Sequence, residues 1–296
     1  SHWSETSGGV GGASVPSSAK FEACFDENSG FTEGAYNYIE ICSTIQCALT
    51  VAACTSLDLE IWDSNGVIIL QNDIENINHI TLYRGSLFTN NFNVTVAEGL
   101  YISSAGTVDF GTSIITCTGD SYTDNLKVYI LSATSLSVSS STIILNVSIP
   151  DDTSVGGNSP TLFVTNYDLG TLQINMLNAA SKLVLGVHTH HIETLKIYGV
   201  GIVCPAGEFE VCDTTFNSII LSGDTPESLV LDGTDWWYVG YVWTEHHTVW
   251  NMTKTSGSVD AVNTTIAYNN AIGGASFNAL VSNGCKDNGN NTGWNF

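Results

Sequence analysis

The sequence predicts an all-β protein folded as a right-handed parallel β-helix (a β-solenoid), with a β-sandwich or jelly roll as the alternative fold. From about residue 57 onward, short segments alternate apolar with polar residues, and Gly, Ser, Asn, Asp or Thr bounds each of them, as expected of strands. Gly85 and Gly106, 21 residues apart, each open a segment of the form glycine, strand, small turn, strand. Such a repeat is typical of turns of chain that stack by parallel pairing.

The predicted strands follow one another with few interruptions. Asn-Gly and Asp-Gly turns, which mark the hairpins of a sandwich, are scarce, and this favours the solenoid. The best helical candidate is the short segment Asn175–Leu183. In chain order the expected strands are LDLEIW from Leu57, ITLYRG from Ile80, FNVTVA from Phe92, LYIS from Leu100, TVDFG from Thr107, SIITCTG from Ser113, KVYILSA from Lys127, SLSVS from Ser135, TIILNVS from Thr142, TLFVTN from Thr161, TLQINM from Thr171, KLVLGV from Lys182, TLKIYG from Thr194, FEVC from Phe209, SIILSG from Ser218 and SLVLDG from Ser228.

The charge of the chain restricts its partners. Its 296 residues include 29 acidic and 7 basic side chains, a formal net charge of −22. This charge repels phosphate backbones, which excludes nucleic acid, and it disfavours anionic membrane surfaces. The apolar runs are too short for membrane insertion. Carboxylate oxygens suit Ca²⁺, although no cofactor is expected.

Eight cysteines without a Cys-x-x-Cys pair favour disulfides over a zinc site, with buried free thiols as the alternative. Disulfides persist in oxidising compartments, so the sequence predicts a secreted, cell-surface or virion protein. Cys204 and Cys212, the first and last residues of CPAGEFEVC, are the predicted pair. Four further candidates allow three pairings, among which the sequence does not choose: Cys24, Cys42, Cys47 and Cys54.

Five Asn-x-Ser/Thr triplets are candidate glycosylation sites. A chain rich in Asn, Ser and Thr also produces such triplets by chance, so they mark glycosylation only in a source that carries the machinery. The five are Asn93, Asn146, Asn251, Asn263 and Asn290.

The stretch DGTDWWYVGYVWTEHHTVW is the most aromatic part of the chain. As one strand it places Trp237, Tyr241 and Trp243 on one face, and Trp236 and Tyr238 on the other. Only one face of a β-helix strand points inward. The other face then displays an aromatic row, which suits stacking on sugars or contact with a protein. The alternative is a row covered by a neighbouring loop or by the C-terminal tail.

Histidines provide the candidate metal ligands. His188 and His190 lie two positions apart in a predicted strand and therefore on the same side, an arrangement that suits chelation. His246 and His247 form a second cluster. Histidine is also tolerated in surface turns, which is the alternative interpretation.

An enzyme that cleaves polysaccharides needs paired carboxylates. A solvated outer face explains Asp58 and Glu60, and the only arginine, Arg84, gives little cationic support for a lyase. We therefore expect the protein not to be an enzyme. The other acidic groups considered are Asp151 with Asp152, and Asp224 with Glu227, Asp232 and Asp235.

The two ends of the chain resemble the ends of a module. The glycine-rich opening WSETSGGVGGASVP lacks the strand, the helix and the lysine of a phosphate-binding loop, so we expect a tight loop that leads into the first coil. Residues 1–56 are expected to form a cysteine-rich entry or cap segment, and residues 57–296 the solenoid, in one continuous unit. Trp294 and Phe296 are expected to clasp the last coil, with end-to-end stacking between copies as the alternative.

Three phrases together resemble a known class of module. They are WSETSGGVGGASVPSSA, GSLFTNNFNVTVAEGLYISSAGTVDFGTSIITCTG and AIGGASFNALVSNGCKDNGNNTGWNF. The set resembles β-solenoid repeat modules of large bacterial surface or secreted proteins and of phage tail-fibre or virion structural proteins. Lys20, Phe21 and Glu22 depart from this pattern, because such modules usually have an acidic pair there. The resemblance implies a complete module but no single activity.

The sequence thus predicts a non-enzymatic extracellular or virion structural module. It would self-assemble end to end or laterally, or serve as a rigid spacer or adhesive unit of a fibre or filament. The second expectation is a carbohydrate-binding adhesin module that uses the aromatic row, with glycans or a host or cell surface as partner. A polysaccharide-degrading enzyme is the third.

Overall fold

The protein is all-β, as predicted. The computed structural model describes residues 22–25, 38–41, 46–49, 57–61, 67–103, 105–119, 127–130, 133–138, 140–148, 161–165, 168–188, 191–204, 212–232, 234–239, 242–247 and 249–296. Within these ranges the chain forms 27 strands and one 3-10 turn, Val281–Asn283, and no α-helix. They include no helix that is long and apolar enough to cross a membrane.

The chain divides into two compact units, and the one continuous unit expected from the sequence stays a prediction. The first contains Ser1–Cys117 and Tyr129–Thr142, and the second contains Thr118–Val128 and Ile143–Phe296. The expected boundary between residues 56 and 57 lies inside the first unit. A ladder crosses it there, since Tyr38 pairs with Asp58.

The first twelve strands along the chain are short, apart from two of nine residues. They are β1 (Glu22–Phe25), β2 (Tyr38–Ile41), β3 (Gln46–Leu49), β4 (Leu57–Ile61), β5 (Val67–Leu70), β6 (Ile74–Leu82), β7 (Ser86–Phe88), β8 (Val94–Ile102), β9 (Ala105–Asp109), β10 (Ile114–Gly119), β11 (Lys127–Ile130) and β12 (Ala133–Ser137).

The strands of the first unit form two parallel ladders. One ladder has the order β1, β2, β4, β6, β8, β10. The other has the order β3, β5, β7, β9, β12. From β3 to β9 the chain alternates between the two ladders, so each strand lies beside the strand that precedes it by one circuit.

The 21-residue spacing predicted from Gly85 and Gly106 is the register of neighbouring strands in this part of the unit. The amide of Gly106 donates to the carbonyl of Gly85. The amide of Thr107 donates to Ser86 Oγ at 3.0 Å, again across 21 residues. Equivalent positions of consecutive circuits therefore lie next to each other, for polar and apolar residues alike.

The inward positions of β4, β6 and β8 build the core of the first unit. Each buried residue lies beside its equivalent on the next strand, which gives continuous aliphatic columns. Burial of each such side chain contributes about 1.5–3 kcal/mol. The two columns are Leu59–Ile80–Leu100 and Ile61–Leu82–Ile102.

The remaining strands include three long ones. They are β13 (Thr142–Val147), β14 (Thr161–Thr165), β15 (Leu169–His188), β16 (His191–Cys204), β17 (Cys212–Gly223), β18 (Leu229–Asp232), β19 (Thr234–Val239), β20 (Val242–His247), β21 (Trp250–Thr253), β22 (Ser258–Asp260), β23 (Thr264–Ala267), β24 (Asn269–Ile272), β25 (Ser276–Asn278), β26 (Lys286–Asp287) and β27 (Trp294–Asn295).

Parallel pairing also organises the second unit. Strands β14, β15, β16 and β17 pair in that order. Beyond them the ladder continues along two lines, β17–β21–β24 and β16–β18–β23–β26. A further parallel ladder joins β22, β25 and β27.

The segment Asn175–Leu183, the best helical candidate in a chain expected to have almost no helix, is part of a strand. It lies inside β15, a strand of 20 residues. The register against β16 shifts between Leu177 and Lys182, and Leu177 is exposed at this irregularity. Pairing with β16 on both sides of the shift outweighs the weak local preference for helix.

The aromatic stretch forms two strands instead of the single strand predicted. Strands β19 and β20 pair in antiparallel order, with Val239 beside Val242. This hairpin lies between β18 and β21, which both belong to parallel ladders. The chain therefore leaves the parallel pattern for one hairpin and then returns to it.

Candidate functional site

Polar side chains of the first unit share the outer face of β4 and β6. Asp58 and Glu60 alternate with buried Leu59 and Ile61, so the predicted outward position of the two carboxylates is confirmed. The register places His79 of β6 beside Asp58. The face therefore brings together acidic side chains and an imidazole from successive circuits.

His79 lies between two carboxylates. Its Nδ1 is 3.2 Å from Asp58 Oδ1, and its Nε2 is 3.2 Å from Glu98 Oε2. The two contacts connect β4, β6 and β8 through side chains.

This triad is not arranged as a metal site. Asp58 and Glu98 approach different nitrogens of the same ring, so the three side chains do not converge on one point. In the part of the chain that the structure describes, no group of three or more His, Cys, Asp or Glu could hold a metal ion. His190 and the side chain of His188 lie outside that part, so the predicted histidine site, like the Ca²⁺ expectation, stays a prediction.

Three tyrosines form a row in the same unit. The ring centroids of Tyr83 and Tyr101 are 5.7 Å apart, and those of Tyr101 and Tyr129 are 5.8 Å apart. Each ring is tilted by 52° to the next, a favourable arrangement for aromatic quadrupoles. All three residues are half-buried. The row therefore offers aromatic surface to solvent while its rings support one another.

The tyrosine row and the triad adjoin. Tyr101 pairs with Thr81 of β6, which pairs with Glu60 of β4. His79 stands two positions before Thr81, on the same side of the strand. Carboxylates that accept hydrogen bonds and aromatic rings that present apolar surface thus lie on one continuous face.

Sequence reasoning identified Asp58 and Glu60 but missed His79, Glu98 and the tyrosines. The 21-residue spacing links Asp58 to His79 directly. That signal would have found the contact if it had been applied to polar positions. Tyr83 and Tyr101 do not obey this spacing, so the row depends on ring contacts that no repeat predicts.

Two of the predicted contact residues of the aromatic stretch, Trp237 and Trp243, lie on the two strands of the hairpin. Trp237 pairs with Thr244, and Trp243 pairs with Tyr238. Tyr241 lies outside the described residues. The role of the three as contact residues stays a prediction.

Polar side chains of the second unit stack in ladders. Asn270 Nδ2 donates to Asn251 Oδ1 at 3.0 Å, and Thr292 Oγ1 donates to Asn270 Oδ1 at 2.6 Å. In a second ladder, Asn278 Nδ2 donates to Asp260 Oδ1 at 2.8 Å. These contacts join the side chains of neighbouring parallel strands, so they reinforce the backbone pairing.

The five glycosylation candidates differ in availability. Asn93 and Asn290 are exposed. Asn263 Nδ2 donates to the carbonyl of Gly223 at 3.0 Å, which occupies the atom that a glycan would need. Asn146 and Asn251 are half-buried, and each accepts a hydrogen bond from another asparagine. Glycosylation stays a prediction, with Asn93 and Asn290 as the most accessible sites.

Two cysteines are buried free thiols, Cys117 and Cys285. Burial raises the pKa of Cys117 to about 12, and burial likewise raises the pKa of Cys285. The thiol of Cys285 donates to the carbonyl of Ala261 at 3.2 Å. For these two residues the free-thiol alternative holds.

The six disulfide candidates remain predictions. Cys204 is the last residue of β16 and Cys212 the first of β17, and the residues between them lie outside the described ranges. Cys24 and Cys47 lie in β1 and β3. Cys42 and Cys54 lie outside those ranges.

The other acidic candidates are less informative. Glu227 forms an ion pair with Lys286 at 3.3 Å, and both side chains are about half exposed. Such pairs contribute at most about 1 kcal/mol. Asp151 and Asp152 lie outside the described residues.

Trp294 packs against the preceding part of the second unit. Its ring meets Phe277 edge to face, with centroids 5.2 Å apart. Its Nε1 donates to Asn269 Oδ1 at 2.7 Å. The clasp expected of Trp294 and Phe296 stays a prediction.

No protein-family model, curated protein or solved structure matches this chain. The resemblance to β-solenoid modules of surface and virion proteins therefore stays a prediction.

Proposed function

We propose that each unit is a right-handed parallel β-helix. The parallel ladders of both units support this, and in the first unit equivalent apolar side chains of successive circuits stack. Right-handed connection is the strong preference for parallel strands within one sheet. Parallel ladders are also not expected of a sandwich or jelly roll, which are built from antiparallel sheets.

We further propose that the protein is a non-enzymatic structural module of an extracellular fibre, cell surface or virion. The observation that carries this proposal is the ladder of Asn251, Asn270 and Thr292, in which side-chain hydrogen bonds repeat from strand to strand. Each side-chain hydrogen bond of such a ladder adds to the backbone pairing of the segments that it joins. Stacked repeats that contact only their neighbours suit a rigid spacer or fibre unit.

Electron microscopy of the purified chain tests the assembly that this role requires. We expect filaments or ordered multimers at high protein concentration, formed by contact between copies. A chain that stays monomeric over the whole soluble concentration range would contradict self-assembly. Unfolding under force measures the spacer role separately, because stacked circuits should resist extension along the stacking direction.

Carbohydrate binding by the β19–β20 hairpin is the second candidate function. The observation that favours it is the antiparallel pairing of this hairpin, because the strands that precede and follow it in the chain, β18 and β21, belong to parallel ladders. The test is glycan-array binding by the intact chain and by variants Trp237→Ala and Trp243→Ala. Equal binding by both variants and the unaltered chain would refute it.

A further inference from the structure

We propose that the first unit binds an uncharged oligosaccharide on the face that carries Tyr83, Tyr101 and Tyr129. This goes beyond the structural role, and the residues of this site are different from those of the hairpin. The site consists of the tyrosine row and the adjoining carboxylates of Glu60 and Glu98.

The tyrosine row supplies the apolar part of the site. Successive ring centroids are 5.7 and 5.8 Å apart, so the row advances by about one strand spacing per ring. Pyranose rings present apolar C–H faces, which pack on half-exposed aromatic rings. A linear chain of sugars can therefore run across the strands and contact more than one tyrosine.

The carboxylates supply the polar part of the site. Sugar hydroxyls are donors, and a carboxylate accepts from them more strongly than a neutral oxygen does. His79 contacts Glu98 Oε2 at 3.2 Å and Asp58 Oδ1 at 3.2 Å. The contact with Glu98 holds that carboxylate of the site in place before a ligand arrives, which lowers the entropic cost of binding.

Charge selects the class of ligand. The face carries the carboxylates of Asp58, Glu60 and Glu98, and the whole chain has a net charge of −22. This field repels uronic acids, sulfated sugars and sialylated glycans. Tyrosine rings with charged acceptors instead suit sugars that offer many hydroxyls and no negative charge.

Calorimetric titration with neutral hexasaccharides of glucose, mannose, galactose and xylose tests the proposal. We expect at least one to bind the intact chain, and Tyr101→Ala to weaken that binding by roughly tenfold or more, because the middle ring contacts both others. Tyr101→Phe keeps the ring and should retain most of the affinity. Tyr198→Ala, which removes a half-buried tyrosine of the second unit, is the matched control and should leave affinity unchanged.

Three results would overturn the proposal. They are failure of every neutral hexasaccharide to bind the intact chain, equal affinity for Tyr101→Ala, and binding confined to a cationic oligosaccharide such as chitosan. Glu60→Gln keeps the size of the side chain and the tyrosine row, so it tests the acceptor role even if Tyr101→Ala fails to fold. Loss of binding with Trp243→Ala but not with Tyr101→Ala would place the sugar on the hairpin instead.

Discussion

At the scale of single residues, Cys117 shows how burial controls chemistry. Its pKa is raised to about 12 by burial, so at pH 8 the thiol stays protonated and cannot act as a nucleophile. We predict that iodoacetamide at pH 8 leaves Cys117 unmodified in the folded chain and labels it once urea unfolds the protein. Peptide mapping by mass spectrometry measures this. Equal labelling with and without urea would show that the thiol is accessible.

Gly199 lies where two neighbouring strands approach each other closely. It has φ of +97°, and a Cβ there would collide with the backbone carbonyl of Met176 on the adjacent strand. We predict that Gly199→Ala lowers the free energy of unfolding by about 2–4 kcal/mol, because strain and collision add. Urea denaturation followed by circular dichroism measures this change.

Gly289 is the matched control for that experiment. Its φ is +95°, yet a Cβ there would meet nothing within 4 Å. Gly289→Ala should therefore cost only the backbone strain, on the order of 1 kcal/mol. If both alanine variants lose the same stability, close approach at Gly199 is not what requires glycine.

At the scale of strands, His79 connects β4, β6 and β8 through side-chain contacts. Asp58 of β4 and Glu98 of β8 face its two nitrogens, and Glu60 stands on the same face of β4. Because one imidazole contacts both neighbouring strands, its removal takes away both contacts at once.

We predict that His79→Ala lowers the free energy of unfolding by about 1 kcal/mol, because contacts between partly exposed charged and polar side chains contribute little more than this. Urea denaturation of both proteins at the same pH measures the difference. Equal free energies of unfolding would show that the triad contributes nothing.

The alternation of residues predicts strands best where each strand is short and bounded by small residues. The predicted LDLEIW and TIILNVS correspond to β4 and β13 almost residue for residue. TLQINM and KLVLGV instead merge into β15, because β16 pairs with the chain on both sides of the intervening LNAAS segment. The β19–β20 hairpin was missed, since its sequence carries no Asn-Gly or Asp-Gly turn between the two strands.

At the scale of the whole chain, the repeat in the sequence predicts how the strands stack. A backbone hydrogen bond joins Gly106 to Gly85, the residue directly before the neighbouring strand, so the spacing of the two glycines in the sequence gives the register of the two strands. The two units are defined by contacts between distant segments, which no periodicity encodes. The tyrosine face was unpredictable for the same reason, because its rings meet across strands at unequal spacings.

The acidity of the whole chain controls the proposed self-assembly. Two copies that each carry a net charge of −22 repel one another, and 0.15 M salt reduces the screening length to about 8 Å. If assembly uses strand pairing and apolar contact, as proposed, it should strengthen when salt weakens this repulsion.

We predict that the average mass in sedimentation velocity rises between 0.02 M and 0.3 M NaCl at constant protein concentration. KCl at equal ionic strength is the control and should give the same mass, because screening does not depend on the identity of the monovalent cation. Dissociation by added salt would instead show that complementary charges hold the copies together.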